Sequence, residues 1–316
     1  MKDALRPRAI LLLKAVYVAA VIGGLGWAVH DVSDLKRGTI SLIQAPEACL
    51  FVLAWLVMAC LLGRLWVLWL QWRFDVELSA REWLPLQALA WAGRYLPGKV
   101  GLLAGKLSLA QDPRLGWKAV SQSVLVEQLA FVFAGAALGA VLLATSALHA
   151  LLWLPSWIVV HWEWLRLATG AGLGLGFVLA VALIERVSAS AMPNRPAEYL
   201  RVAALLMLYT LPHVLIGAAF FQLLPAFSGA AASIGLLHAI AVLALAHVAG
   251  ALAIFAPAGL GVRELVLATG LVSATVPVDQ SLLIAAVLRL LTLIADGALL
   301  AGLASHWLWR RCARAG

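Results

Sequence analysis

With 316 residues, 64% of them hydrophobic and 12% charged, and a mean hydropathy of +0.98, the chain is far more apolar than a soluble domain, which runs near ~45–50% apolar and ~25% charged. The net charge of +8 arises from 23 Lys and Arg against 15 Asp and Glu; it is spread through an apolar background rather than gathered on a polar module. Disorder and nucleic-acid binding are therefore excluded, and the basic residues read first as topology. Cys49, Cys60 and Cys312 make no CxxC pair or His/Cys cluster, so neither a disulfide framework nor a metal site is expected.

A helix that crosses lipid needs about 20 mostly apolar residues, because no water is present there to satisfy the backbone. Such stretches lie at 9–29, 47–70, 119–145, 164–185, 201–223, 232–255 and 281–306. The first follows Lys2, Arg6 and Arg8, yet it is long and has no small-x-small cleavage pattern; it reads as a retained anchor from which Lys14 snorkels. Arg64 and Glu185 read the same way, as topological charges at interfaces. Basic residues also mark the Arg73/Arg81 loop, the Lys106/Arg114/Lys118 stretch, the Arg186/Arg195/Arg201 loop and the tail Arg310, Arg311 and Arg314. By the positive-inside rule these segments and both termini are expected in the cytoplasm. Seven spans leave the termini on opposite sides, so 257–276 is expected to cross as an eighth, irregular span. The stretch 147–162, with Pro155 and three tryptophans but no Lys or Arg, reads as an interfacial helix on the outer face. Polar connections at 71–82 and 186–200 are too short to fold alone. The chain 1–316 thus reads as a single all-α integral membrane domain of seven or eight helices.

Two segments break the pattern. In 83–110 an apolar run is interrupted by Pro85, Pro97, Gly98 and Gly101 and carries Arg94, Lys99 and Lys106. Pro97 lacks an N–H and disfavours helical angles at Leu96, while Gly98 permits left-handed ones, so a helix should break there. A re-entrant hairpin entering from the cytoplasmic side fits, with two flat interfacial helices as the alternative. The second break, within 256–276, has Pro257, Gly259 and Gly261 followed by Arg263 and Glu264. Pro97 and Pro257 lie about half a chain length apart, the pointer for two inverted structural repeats, 1–160 and 161–316. Half-helix ends with their free N–H groups attract anions, and an adjacent Lys99 or Arg263 adds a full charge. The alternative is that Pro and Gly merely permit kinking and close packing.

Ionisable groups inside apolar spans cost at least ~2.5–3.5 kcal/mol at the bilayer centre, which makes them functional candidates. Glu127 lies within the 119–145 span; Arg289 and Asp296 lie seven residues apart in the last span, on one face with Thr292. With Arg263 and Glu264 these charges either neutralise one another as packing ion pairs or line a path for a charged head group. His213, His238 and His247 are each expected to hydrogen-bond a neighbour. No HExxH, GxSxG or Walker pattern occurs, so metal, triad and ATPase chemistry are unsupported, no cofactor is expected, and transport would run downhill or on an ion gradient.

The stretch Gly93-Arg94-Tyr95-Leu96-Pro97-Gly98-Lys99-Val100-Gly101 with Gly105-Lys106, and the later Pro257-Ala258-Gly259-Leu260-Gly261-Val262-Arg263-Glu264, resemble the two signature stretches of the lysylphosphatidylglycerol synthase transmembrane-region (flippase domain) family. Ala258 stands where members often have a second glycine. The resemblance implies a membrane protein with re-entrant segments that moves a phospholipid or polyprenyl-linked lipid across the inner membrane. It also implies a stand-alone member without the aminoacyl-transferase domain, for which lysyl-phosphatidylglycerol synthesis is not expected. The candidate pathway is then Arg94, Lys99, Lys106, Glu127, Arg263, Glu264, Arg289 and Asp296, with Pro97, Gly98, Gly101, Pro257, Gly259 and Gly261 as the helix breaks. The expected partner is an anionic phospholipid or polyprenyl-phosphate-linked lipid, with a homo-oligomer or a cell-envelope biosynthesis complex as protein partners and no nucleic acid. The first expectation is a non-enzymatic lipid translocase. The alternatives are an accessory scaffold for polysaccharide or glycolipid assembly, and an intramembrane enzyme on a lipid phosphate with Glu127 or Glu264 as general base.

Overall fold

The computed structural model describes residues 45–95, 105–107, 109, 115–143, 162–187, 196–227, 229–254 and 256–315. The expected anchor at 9–29, nearly all of the expected outer-face helix 147–162, the break residues Pro97, Gly98 and Gly101, and Lys99, Arg114 and Arg195 lie outside the described residues. Those that are described form helices and no strand: α1 (Pro46–Phe74), α2 (Ala80–Gly93), α3 (Trp117–Leu142), α4 (Trp162–Val187), α5 (Pro196–Leu208), α6 (Thr210–Leu223), α7 (Leu236–Leu252), α8 (Val262–Val272) and α9 (Val278–Ala315).

Local sequence sets the helix ends. Pro46 opens α1, where its missing N–H costs nothing, and Asp75 closes it in a left-handed conformation (φ 56°) with its N–H on the Gln71 carbonyl. A capping box starts α2: the Glu82 carboxylate accepts from the Ser79 N–H at 2.7 Å. That helix stops in a tightened turn at Arg94 and Tyr95, whose N–H groups reach back to Trp91 and Ala92, ahead of the proline at 97 that restricts the residue before it. Pro212, four residues after Leu208, removes the N–H that would continue α5 into α6, and Tyr209 marks the interruption.

Four helices are long and apolar enough to cross a membrane: Pro46–Phe74, Trp117–Leu142, Tyr199–Phe227, which joins α5, α6 and a following turn, and Val278–Ser305. They mark the chain as a membrane protein and match four of the seven stretches picked out by hydropathy. The stretch 164–185 is helical within α4, whose described apolar part is Leu167–Leu179. The stretch 232–255 contains α7, whose 17 residues rise about 26 Å. The eighth stretch, 257–276, is a break followed by the 11-residue α8, which rises only about 16 Å. It is a half-helix and does not cross the ~30 Å core by itself.

The core forms where helices α1, α3, α6, α7 and α9 meet, around Phe51, Trp55, Phe220, Leu243 and Leu288. Helix α7 is apolar and buried on nearly all sides, packed against α3, α6 and α8, the pattern of a helix at the centre of a bundle. Small residues admit its neighbours: Gly139 of α3 lies against Leu245, and Gly217 of α6 against Ile240. On α1, Leu50, Leu53 and Val57 are exposed while Phe51, Trp55 and Met58 are buried. Both of its faces are apolar, as expected of a helix between protein and lipid.

Candidate functional site

The two breaks come together. The Ala258 N–H donates to the Arg94 carbonyl at 3.0 Å, joining the end of α2 to the Pro257–Gly259 turn by backbone alone. That turn is built for close approach: Ala258 (φ 50°) and Gly259 (φ 69°) are left-handed, and a Cβ on Gly259 would stand 2.6 Å from the Gly250 Cα of α7. Gly105 lies against α2, since a Cβ on it would stand 2.4 Å from the Ala90 backbone nitrogen.

Asp296 of α9 gathers four donors from α1 and α2. Trp55 and Trp91 donate their indole N–H groups to Oδ1, each at 2.9 Å, and the Arg94 guanidinium and Tyr95 hydroxyl donate to Oδ2. Arg94 also stacks on Trp91, 4.3 Å from the ring centre. A second pair links the N-terminus of α8 to α9: Glu264 accepts from the Gly261 N–H at 2.6 Å and faces Arg289 Nη1 at 3.6 Å. Glu264 thus caps its own half-helix, so the anion-attracting end expected there is already occupied by a side chain. The third pair, Lys106 and Glu127 at 2.5 Å, is fully enclosed, with Lys106 Nζ 4.1 Å above the Trp66 ring and Trp66 bonded to Ser123 at 3.0 Å.

Between these pairs, α1, α2, α3, α7 and the second break enclose a cavity of about 110 Å³, lined by Trp55, Gln87, Trp91, Arg94, Glu127, Phe131, His247, Ala258 and Arg263 among others. Arg263 is 6% exposed. Its guanidinium lies 5.0 Å from the Trp55 ring centre, and among the described residues no carboxylate stands within ion-pair distance of it. No family model, curated protein or solved structure matches the chain. The site is therefore read from its own chemistry.

Of the charges expected along a pathway, Arg94, Glu127 and Arg263 line the cavity; Asp296 pairs with Arg94 and Lys106 with Glu127, while Glu264 and Arg289 pair with each other. Sequence reasoning missed Trp55, Trp91, Tyr95, Gln87 and His247. The tryptophans carry no signal apart from their number in an apolar chain. His247 was legible as a histidine within a span, and it departs from the expectation for such residues. His213 reaches the Phe131 carbonyl at 3.0 Å and His238 the Gly270 carbonyl at 3.2 Å, whereas neither ring nitrogen of His247 has a partner. Among the described residues no three His, Cys, Asp or Glu side chains converge as metal ligands do.

Proposed function

We propose that this protein is a lipid translocase of the bacterial inner membrane. It moves an anionic phospholipid or a polyprenyl-linked lipid between leaflets, with the head group passing through the cavity at the two breaks while the tails stay in lipid. The observation that carries the reading is Arg263: a buried guanidinium in direct ion pair with no carboxylate among the described residues, facing a cavity between two interrupted helices. An uncompensated charge in an apolar interior costs several kcal/mol, and a visiting anion offsets that cost. The meeting of the breaks supports a pair of inverted repeats whose interface holds the site, with the 83–110 segment as a re-entrant hairpin. The motif resemblance supports the same class of activity. No nucleotide motif accompanies the cavity, so movement is downhill or coupled to an ion.

The test is exchange of head-group-labelled lipid between leaflets of reconstituted vesicles. Wild-type protein is expected to accelerate exchange, and Arg263→Gln to insert normally while losing at least about tenfold of that rate, the equivalent of one charged hydrogen bond. Equal exchange by wild type and variant would overturn the reading in favour of a scaffold in which the charges only hold helices together.

A further inference from the structure

Among the described residues, two sets of polar groups around the cavity lack a partner or keep spare hydrogen-bonding capacity; the unpaired atoms are closed to solvent, so a ligand reaches them through small side-chain movements. The first set consists of donors. Arg263 has no acceptor among the described residues. Among the described residues, Arg94 binds Asp296 through one terminal nitrogen and leaves its buried Nε–H unpaired, and neither ring nitrogen of His247 has a partner, one of the two carrying an N–H that can donate. The second set consists of acceptors. Gln87 spends its amide N–H on the Ala59 carbonyl at 3.2 Å and leaves Oε1 buried and bare. Glu127 lines the cavity with its charge already balanced by Lys106. Buried groups left this way cost about 1–3 kcal/mol each, and the great majority in proteins are paired. The two sets together describe the complement of a ligand.

Charge narrows its class. Among the described residues around Trp55 and Tyr95, the guanidiniums of Arg94, Arg263 and Arg289 face the carboxylates of Glu264 and Asp296, one positive charge over, and Lys106 cancels Glu127. A ligand with one negative charge closes the balance, as a phosphodiester does. A phosphomonoester carries about −1.5 to −2 at neutral pH, and a diphosphate more, so either would leave buried negative charge uncompensated. Beside a Glu127 already held by Lys106, the bare acceptors suit hydroxyls rather than an ammonium. The volume of about 110 Å³, against about 10–15 Å³ for one water, takes a small head group.

We infer that the cavity binds a phosphodiester whose head is an uncharged polyol, a glycerol or a single sugar, with Arg263, His247 and Arg94 Nε on the phosphate oxygens and Gln87 and Glu127 on the hydroxyls. That this diester carries an apolar tail rests on the translocase reading.

Binding to the full-length protein in detergent tests it, by competition among short-chain phosphatidylglycerol, phosphatidylethanolamine and phosphatidic acid, farnesyl diphosphate, and tail-less glycerophosphoglycerol. Phosphatidylglycerol is expected to bind at least about tenfold more tightly than each of the others, one good hydrogen bond or charge match. Gln87→Leu is expected to lose about tenfold for phosphatidylglycerol with no change for farnesyl diphosphate, and His247→Phe, which keeps an aromatic ring in place, to weaken both. Equal or tighter binding of the amine, the monoester or the diphosphate overturns the assignment. Equal binding of the tail-less diester overturns the lipid and leaves a soluble ligand. Vesicle exchange by wild type without this preference means the head-group assignment fails while translocation stands; the preference without exchange means the reverse.

Discussion

Asp296 is the residue on which the site is most concentrated. Both of its oxygens accept two donors, and removing it leaves the partly buried Arg94 with no carboxylate in reach among the described residues. Breaking a buried pair in this way costs about 3–5 kcal/mol. Trp55→Phe keeps the ring and forfeits a single bond to a charged acceptor, about 1.5–3 kcal/mol. Unfolding in mixed micelles should therefore rank Asp296→Ala well below Trp55→Phe in stability; similar values for the two would mean that the four donors do not depend on that carboxylate. The charges of this site were legible in the sequence because a Lys, Arg, Asp or Glu within an apolar span is conspicuous. Their partners were not. Arg94 and Asp296 are 202 positions apart, and no spacing rule connects them. The tryptophans and Gln87 look like any interfacial or packing residue until their hydrogen bonds are drawn.

The two broken segments follow from backbone chemistry that a sequence displays openly. Pro257, Gly259 and Gly261 announced a break, and the chain turns there. Helix α2 ends at Arg94 and Tyr95, two residues ahead of Pro97, and the expected break at Pro97 and Gly98 lies outside the described residues. At Ala258 the sequence carries alanine where the conformation (φ 50°) favours glycine. Ala258→Gly should raise stability by about 1 kcal/mol, the strain of a left-handed L-residue. Gly259→Ala should lower it by at least about 1–3 kcal/mol, since the added carbon meets the Gly250 backbone as well as an unfavourable φ. Denaturation of both variants checks the pair of signs, and a stabilising Gly259→Ala would refute the close contact between the second break and α7. What misled was hydropathy, which made 257–276 an eighth crossing because it counts apolar residues without registering where the backbone stops being helical.

Hydropathy identified the whole molecule as a membrane protein and located its four longest spans, but it says nothing of which helices touch. Contacts supply the direction. Arg94 at the end of α2 meets Asp296, while Arg81 and Leu84 near its start share a groove with Gly302 and Leu303, so α9 runs antiparallel to α2. The C-terminal end of α9 therefore leaves on the side of the connection at 75–79. With Cys49, Cys60 and Cys312 replaced by serine, single cysteines introduced at 77 and 315 are expected to react with an impermeant maleimide in the same vesicle orientation; reaction from opposite sides would contradict this arrangement. The unmatched guanidinium of Arg263 also carries an electrical consequence. A fixed positive charge at this depth raises the local electrostatic potential for any anion that approaches it. Under the proposed reading the head group is neutralised while it occupies the cavity, and one charge crossing the whole field exchanges about 2.3 kcal/mol per 100 mV. Voltage would then act on the anion's approach and departure, and a polarised membrane would bias the direction of exchange.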